Sequence, residues 1–552
     1  MLSLHLILGF VGVALTEGVI VEITNGKIEG YTRVSPNNVK FNAFQGIPYA
    51  KPPTGKLRFL APVPHDNWPG VLETKKDGNR CFSVAKDTDD ESEDCLFINV
   101  YTPVLNLNPI ENATLPVMVY IYGGGFRDGA SQYDFYGPDY LIEQQVVMVS
   151  LNYRVGPFGF LSTGDGTVPG NAGLKDQRLG LEWVQRNIRR FGGDPSRVIV
   201  FGQSAGAASV GLHILSKGSA GLFRGAIGES GSGISNWAYL PDPIRYPYEL
   251  ISLINKSIEL NTSQAILDYL QTVPAKEIDV ASTKTHTVNH PLPVIEVEHD
   301  GAFLTEKFYE ILDRGDINRV PLMIGCNSEE YLALSKNMDS LRSRAASYDK
   351  DLRKLVPKSM NIIDENKRVE IGRKIKEFYL DDGKSFADNP GYAIAYNSES
   401  HFINPIIKHA EMQSKFTDVY LYKFSYGGVM GKNLNVTLPG VEKCTHSEEL
   451  FYTFKRILPD YDNSDLSQFP PKDVLTHKRM VKLWTNFAKN LNPTPVEDAV
   501  LEDIIWPKLT PNDFQYLNID EELTVQTDIK HGRYRKWMDL FAKEALPPYV
   551  VV

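Results

Sequence analysis

Cysteine is scarce: the chain has four in 552 residues, and none of them stands in a C-x-x-C spacing. That excludes a disulfide-stapled scaffold and supplies no thiolate metal motif. Clustered basic sequence is missing as well, since 58 Lys and Arg are outnumbered by 68 Asp and Glu for a net charge of −10. Nucleic acid and anionic membrane are not the expected partners, because polyanion binding depends on concentrated positive charge that releases counterions. Long apolar runs are absent apart from Met1 to Thr16, MLSLHLILGFVGVALT, which is too short to span a bilayer core of about 30 Å. It reads as a signal peptide over residues 1–16, with Ala14 and Thr16 as the small residues before a cut at Glu17.

What is present is ordinary folded sequence, 42% hydrophobic and 23% charged. Length alone suggests three or four domains of about 150 residues, a prior that large α/β enzymes often exceed as one unit. No Gly/Ser or Pro-rich linker, low-complexity tract or internal repeat divides the chain, and residues 17–552 read as a single domain. Short β-type runs at 117–122, 146–153, 198–201, 225–230, 321–325 and 419–424 are rich in Val, Ile and aromatics without strict alternation. With helical stretches between them, they predict an α/β fold with a large, mostly parallel sheet and helices on both faces. Asp176 to Phe191 predicts one such helix, closing at Gly192 and Gly193. VIVEITNGKIEGYTR predicts a small N-terminal antiparallel sheet turning at Asn25 and Gly26, and the charged stretch 339–384 a helical cap insertion. N-x-[ST] sequons at Asn112, Asn255, Asn261 and Asn435, and a C-terminus PPYVVV without a retention signal, fit a secreted, extracellular glycoprotein.

The sharpest motif is Gly202-Gln203-Ser204-Ala205-Gly206, lying between the run VIVF and a helical stretch. In that context a G-x-S-x-G pattern is a nucleophile elbow, with the serine on a strained turn at a helix N-terminus. An acyl-transfer serine also needs amide donors for its oxyanion. The run VMVYIY ends in Gly123-Gly124-Gly125-Phe126, where missing side chains let the backbone approach a substrate, so Gly124, Gly125 and Ala205 are assigned as donors.

EDCLFINVYTP at 93–103, IYGGGF at 121–126, NYRVGPFGFLS at 152–162, GNAGLKDQRLGLEWVQRNIRRFGGDP at 170–195 and the GQSAG elbow together resemble the type-B carboxylesterases. That family also includes cholinesterases and insect juvenile hormone esterases. The resemblance runs from IPYAKPP at 47–53 to KLWTNFAKNLNP at 482–493, and it implies an α/β-hydrolase fold and a Ser-His-Glu triad. Gly325 to Glu330 matches the segment that carries the family's acid, making Glu330 the acid with Glu329 as the alternative, since Tyr331 replaces the usual glycine. Thr445 to Phe451 matches the histidine segment and gives His446, although Lys443 stands where many relatives have glycine. His477 is the nearest competitor, but its sequence is helical. The order Ser204, Glu330, His446 is the one this fold uses.

Further roles implied by the resemblance are Ser230 as support for the acid, Trp237 in the acyl pocket, a Cys81–Cys95 disulfide, and ion pairs Arg58–Glu93 and Arg154–Asp176. Cys326 and Cys444 are expected to stay reduced and buried. No metal or organic cofactor is required by such a mechanism, and the expected partner is a small-molecule ester. The Cys81–Cys95 loop is short and lacks tryptophan, and Gln203 replaces the glutamate that cholinesterases place before the nucleophile. Both departures remove cation-binding features and favour a neutral, largely apolar ester. Two alternatives stand beside this reading: juvenile hormone esterase at the level of substrate, and a non-catalytic adhesion or binding protein of the same fold.

Overall fold

A computed structural model describes residues 18–552 except 84–89, 108–113, 286–289, 433, 435, 512, 531 and 548. The leader and the sequons at Asn112 and Asn435 lie outside the described residues. A 13-stranded sheet organises the rest. Its strands are β1 (Val19–Ile23), β2 (Gly26–Val34), β3 (Lys40–Pro48), β4 (Val71–Glu73), β5 (Phe97–Thr102), β6 (Leu115–Ile121), β7 (Val147–Leu151), β8 (Gly193–Gln203), β9 (Gly225–Glu229), β10 (Leu322–Asn327), β11 (Val419–Phe424), β12 (Tyr516–Ile519) and β13 (Leu523–Gln526).

The spatial order is β1-β2-β3-β5-β7-β6-β8-β9-β10-β11-β12-β13, with β4 beside β2. From β7 to β12 every pair is parallel, while β1, β2, β3, β5 and β7 pair antiparallel in series, β13 pairs antiparallel with β12, and β4 joins β2 in parallel. The expected hairpin is present one residue earlier, turning at Thr24 and Asn25, with Gly26 at φ 144° as the first residue of β2 paired with Ile23. It is continuous with the large sheet, because β2 gives residues 26–30 to β1 and residues 31–34 to β3. In β8, Val198, Ile199, Val200 and Phe201 are all buried. Successive strand side chains point to opposite faces, so burial of all four means that both faces of the sheet are covered here.

Helix α1 (Ala172–Asn187) crosses from β7 to β8 and α2 (Ala205–Leu215) from β8 to β9. The crossover before β8 begins earlier than its apolar pattern predicts, because Asn171 takes φ 57° and starts the helix at Ala172. A tighter turn of helix over Ile188–Phe191 follows, and Gly192 at φ 83° ends it. In the charged stretch, α3 (Met338–Lys350) and α4 (Glu365–Glu377) form a helical insertion with its own apolar cluster, including Leu341, Ile371, Ile375 and Phe386. Helix α5 (Pro390–Ser398) joins α6 (Asn404–Ser414) through a π-helical turn at Glu399–Ile403; α7 (Pro471–Asn490) and α8 (Arg533–Glu544) complete the C-terminal part.

The chain passes from β6 outward to β7, then returns to β8 on the other side of β6. This reversal leaves a crevice at the carboxyl ends of β6 and β8, the place where open α/β sheets bind ligands. Both glycine-rich motifs found in the sequence start there.

Candidate active site

Ser204 follows β8 directly and precedes α2, with φ 58° and ψ −120°. A serine pays a steric cost for a positive φ, and the surroundings fix it there. Its N–H donates to the Glu229 carbonyl at 2.8 Å, and its carbonyl accepts the Ala208 N–H at 2.9 Å. The flanking glycines are required by strand β6: a Cβ on Gly202 would come within 2.6 Å of the Ile121 carbonyl oxygen, and one on Gly206 within 2.0 Å. The G-x-S-x-G spacing thus follows from a backbone lying against the turn.

The Gly123-Gly124-Gly125 loop leaves β6 alongside the serine, and a Cβ on Gly123 would sit 2.9 Å from the Ser204 Cβ. Gly124 and Gly125 have φ 107° and 62°, and Phe126 continues at 60°. Their carbonyls are turned away and held: that of Gly124 by the N–H groups of Arg127 and Asp128 at 3.0 and 3.1 Å, that of Phe126 by Gly156 N–H at 2.7 Å. The amides of Gly124, Gly125 and Ala205 donate to no acceptor among the described residues. Free amides at a helix start and a glycine loop form a donor set suited to a developing oxyanion.

His446 and Glu330 meet across the ends of two chain segments that are zipped together. Glu329 N–H donates to Cys444 O at 2.8 Å, His446 N–H to Glu330 O at 3.2 Å, and the Asn327 side-chain amide to Thr445 O at 2.8 Å. The His446 Nδ1 lies 2.6 Å from Glu330 Oε2, so Nδ1 carries the proton toward the carboxylate and Nε2 is left as the basic nitrogen. That Nε2 faces the side-chain amide of Gln203 at 3.2 Å. Glu329 points the other way, to Lys530 Nζ at 3.3 Å and Glu442 N–H at 3.1 Å, so of the two acids it is Glu330 that faces His446. His477 is buried in α7 and bonded to the Tyr452 carbonyl.

Ser230 does not support Glu330 as expected. Its hydroxyl reaches Glu449 Oε1 at 3.5 Å, while Asn327, in the acid segment, donates to the other Glu449 oxygen. Burial and the neighbouring Glu330 charge push the Glu449 carboxyl up to about 7. Burial also holds Glu229, bonded to Trp484, well above the carboxylate range. The catalytic carboxylate candidate therefore stands beside Glu449, whose burial favours the neutral form.

Sequence reasoning missed Phe402. The π-helical turn carries it to the imidazole, with ring centroids 4.6 Å apart. Trp237 packs on Phe402 at 5.3 Å and on Phe126 at 6.5 Å, with its indole N–H on the His401 carbonyl at 2.8 Å. Tyr331, the departure noted after Glu330, also packs edge-on to Phe402, at 5.6 Å. Phe402 lies within the change of helical pitch, which leaves no mark in the sequence pattern. The wall so formed is aromatic. Among the described residues, no cluster of three His, Cys, Asp or Glu side chains is arranged to ligate a metal.

A model of the carboxylesterase family matches residues 17–537. The chain belongs to the carboxylesterase family. Similar proteins include a juvenile hormone esterase of Tribolium castaneum, 32% identical over 85% of this chain and 83% of that one. Venom carboxylesterase-6 of Apis mellifera is 30% identical over 96% and 95%, and human cocaine esterase 32% identical over 92% and 88%. The crystal structure of juvenile hormone esterase from Manduca sexta, with OTFP covalently attached, superposes with TM-score 0.82 at 30% identity, covering 96% of this chain and 99% of that one. This carboxylesterase has the family's α/β-hydrolase sheet. Cys81 and Cys95 are bridged, and Cys326 and Cys444 are unbridged and buried.

Proposed function

We propose that this carboxylesterase is a secreted serine hydrolase of neutral, largely apolar esters, working through Ser204, His446 and Glu330. The reading is carried by one observation, the 2.6 Å His446–Glu330 contact beside the strained Ser204 elbow. His446 takes the Ser204 proton as Oγ attacks the ester carbonyl, and Glu330 orients the ring and stabilises its cation. The amides of Gly124, Gly125 and Ala205 receive the oxyanion. The protonated ring then hands its proton to the departing alcohol, leaving an acyl-enzyme. Water, deprotonated by the same nitrogen, releases the acid and restores Ser204.

The wall supports this substrate class: Trp237, Tyr331 and Phe402 offer apolar contact, and Gln203 brings no negative charge for a cationic alcohol. Relatives of similar identity carry different substrate names, so the proposal is for the ester class, with a hormone ester as one member of the assay panel. Secretion is supported by the 1–16 leader, the disulfide and the exposed sequons Asn255 and Asn261. Ser204→Ala tests the mechanism. Hydrolysis of 4-nitrophenyl butyrate is expected to fall at least 1000-fold with Tm unchanged; a folded variant that keeps a tenth of the activity excludes Ser204 as nucleophile.

A further inference from the structure

The glycine loop is held carbonyl by carbonyl, and one of its partners comes from a distant part of the chain. The Gly125 carbonyl accepts from His290 Nε2 at 2.9 Å. A carbonyl can only accept, so the neutral ring carries its proton on Nε2. Burial pushes the imidazole down to about 4, leaving it neutral around neutral pH.

His290 is mounted on a rigid support. Pro291 and Pro293 restrict the backbone that follows it, and Leu240 N–H binds the Pro293 carbonyl at 2.9 Å. Val294 exchanges two hydrogen bonds of 2.9 Å with the side chain of Asn171, at the start of α1. Asn171 also donates to Glu296 Oε1 at 2.8 Å, and Lys175 meets Glu296 Oε2 at 2.6 Å with both charges buried. Gly170 lets this strut lie close, since a Cβ there would be 2.7 Å from Val294. The strut therefore ties His290 to the first turn of α1.

Packing does not fix Gly125 by itself. A Cβ built on it meets nothing within 4 Å, and glycine adopts either sign of φ freely. Within a trans peptide unit the carbonyl and N–H point in opposite directions, so a held carbonyl fixes where the neighbouring amide points. The Gly124–Gly125 unit is fixed by the amides of Arg127 and Asp128; the Gly125–Phe126 unit has the imidazole.

We propose that His290 is a positioning residue for the oxyanion loop: its Nε2–H holds the Gly125 carbonyl and fixes the Gly125–Phe126 unit, so the chain is anchored on the far side of the Gly125 Cα from its donor N–H. This rests on the assignment of Gly124 and Gly125 as oxyanion donors. Three variants test it: His290→Ala, His290→Gln, whose amide nitrogen can replace Nε2, and His290→Asn, whose shorter amide falls near Nδ1. For 4-nitrophenyl butyrate, His290→Ala and His290→Asn are expected to lose about 10-fold or more in kcat with KM within twofold, while His290→Gln recovers most of the rate. Inhibition by a trifluoromethyl ketone, whose serine adduct bears the oxyanion, weakens in the same proportion. Wild-type kcat and ketone affinity in His290→Ala overturn the proposal. Equal losses in Gln, Asn and Ala variants with unchanged Tm do so as well. If the wild-type enzyme is not inhibited by the ketone through Ser204, the assignment of the site itself is overturned, and that control is read first.

Discussion

Glu449 sits three residues beyond the histidine, in a motif that marks it only as one acid of a pair, yet it touches Ser230 and Asn327 around the acid loop. Its pKa is raised from an ordinary 4.5 to about 7, so the folded state binds this proton more tightly than the unfolded chain. The stability it adds is complete below about pH 4.5 and is lost as pH rises through 7. Glu449→Gln keeps an acceptor and removes the titration. Its Tm is expected to decline less than that of wild type between pH 5 and 8, by a few degrees at most given the size of the chain. Identical slopes in a thermal scan series would show that Glu449 is not the titrating group. The proposed nucleophile Ser204 and base His446 were legible from motifs, because such chemistry needs those atoms in a fixed local context. Ser230's true partner was not, because Glu449 approaches it from more than 200 residues away.

Among the elements, the crossover into β8 rests on Arg154 and Asp176, joined at 2.8 and 2.7 Å with both side chains buried. The pair was expected from resemblance; its backbone contact, Arg154 N–H to Asp176 at 3.0 Å, was not. Arg154→Met leaves a buried carboxylate without its cation, and a loss of about 3–5 kcal/mol is expected in urea unfolding. Adding Asp176→Leu should recover part of it, and a double variant no more stable than the single one would contradict this account. Arg58 shows how much a pair can hide: besides Glu93 it donates to the Leu270 and Val273 carbonyls at 2.7 and 2.6 Å, pinning a helix end more than 200 residues away. The parallel strands were readable as unbroken apolar runs, whereas the π-helical turn that presents Phe402 was not, since its sequence ESHFI fits either helical pitch.

For the whole molecule, the C-terminal segment is clamped onto the acid loop. Lys530, buried at φ 61°, meets Glu329, Glu442 and the Ser328 carbonyl, and Arg533 meets the buried Glu399 of the π-turn at 2.7 Å. Burial disfavours charge on Glu442, yet Lys530 and Lys423 hold its carboxyl down to about 2. At the other end, the Cys81–Cys95 bridge closes a short loop that the chain-entropy model values at about 3 kcal/mol. Replacing both cysteines by serine is expected to lower urea stability by roughly that amount. Alkylation without reductant should add two labels after unfolding and none to the native protein, as mass spectrometry reads directly. Four labels would exclude the bridge, and none after unfolding would reveal a second. By itself the sequence determined the parallel sheet, the elbow, the glycine loop and the residue types of the proposed triad, because propensity, burial and chemistry act through local spacing. Only the tertiary structure decided which acid faces His446, what Ser230 and His290 hold, and which ring lies on the imidazole, because those contacts depend on where distant segments converge.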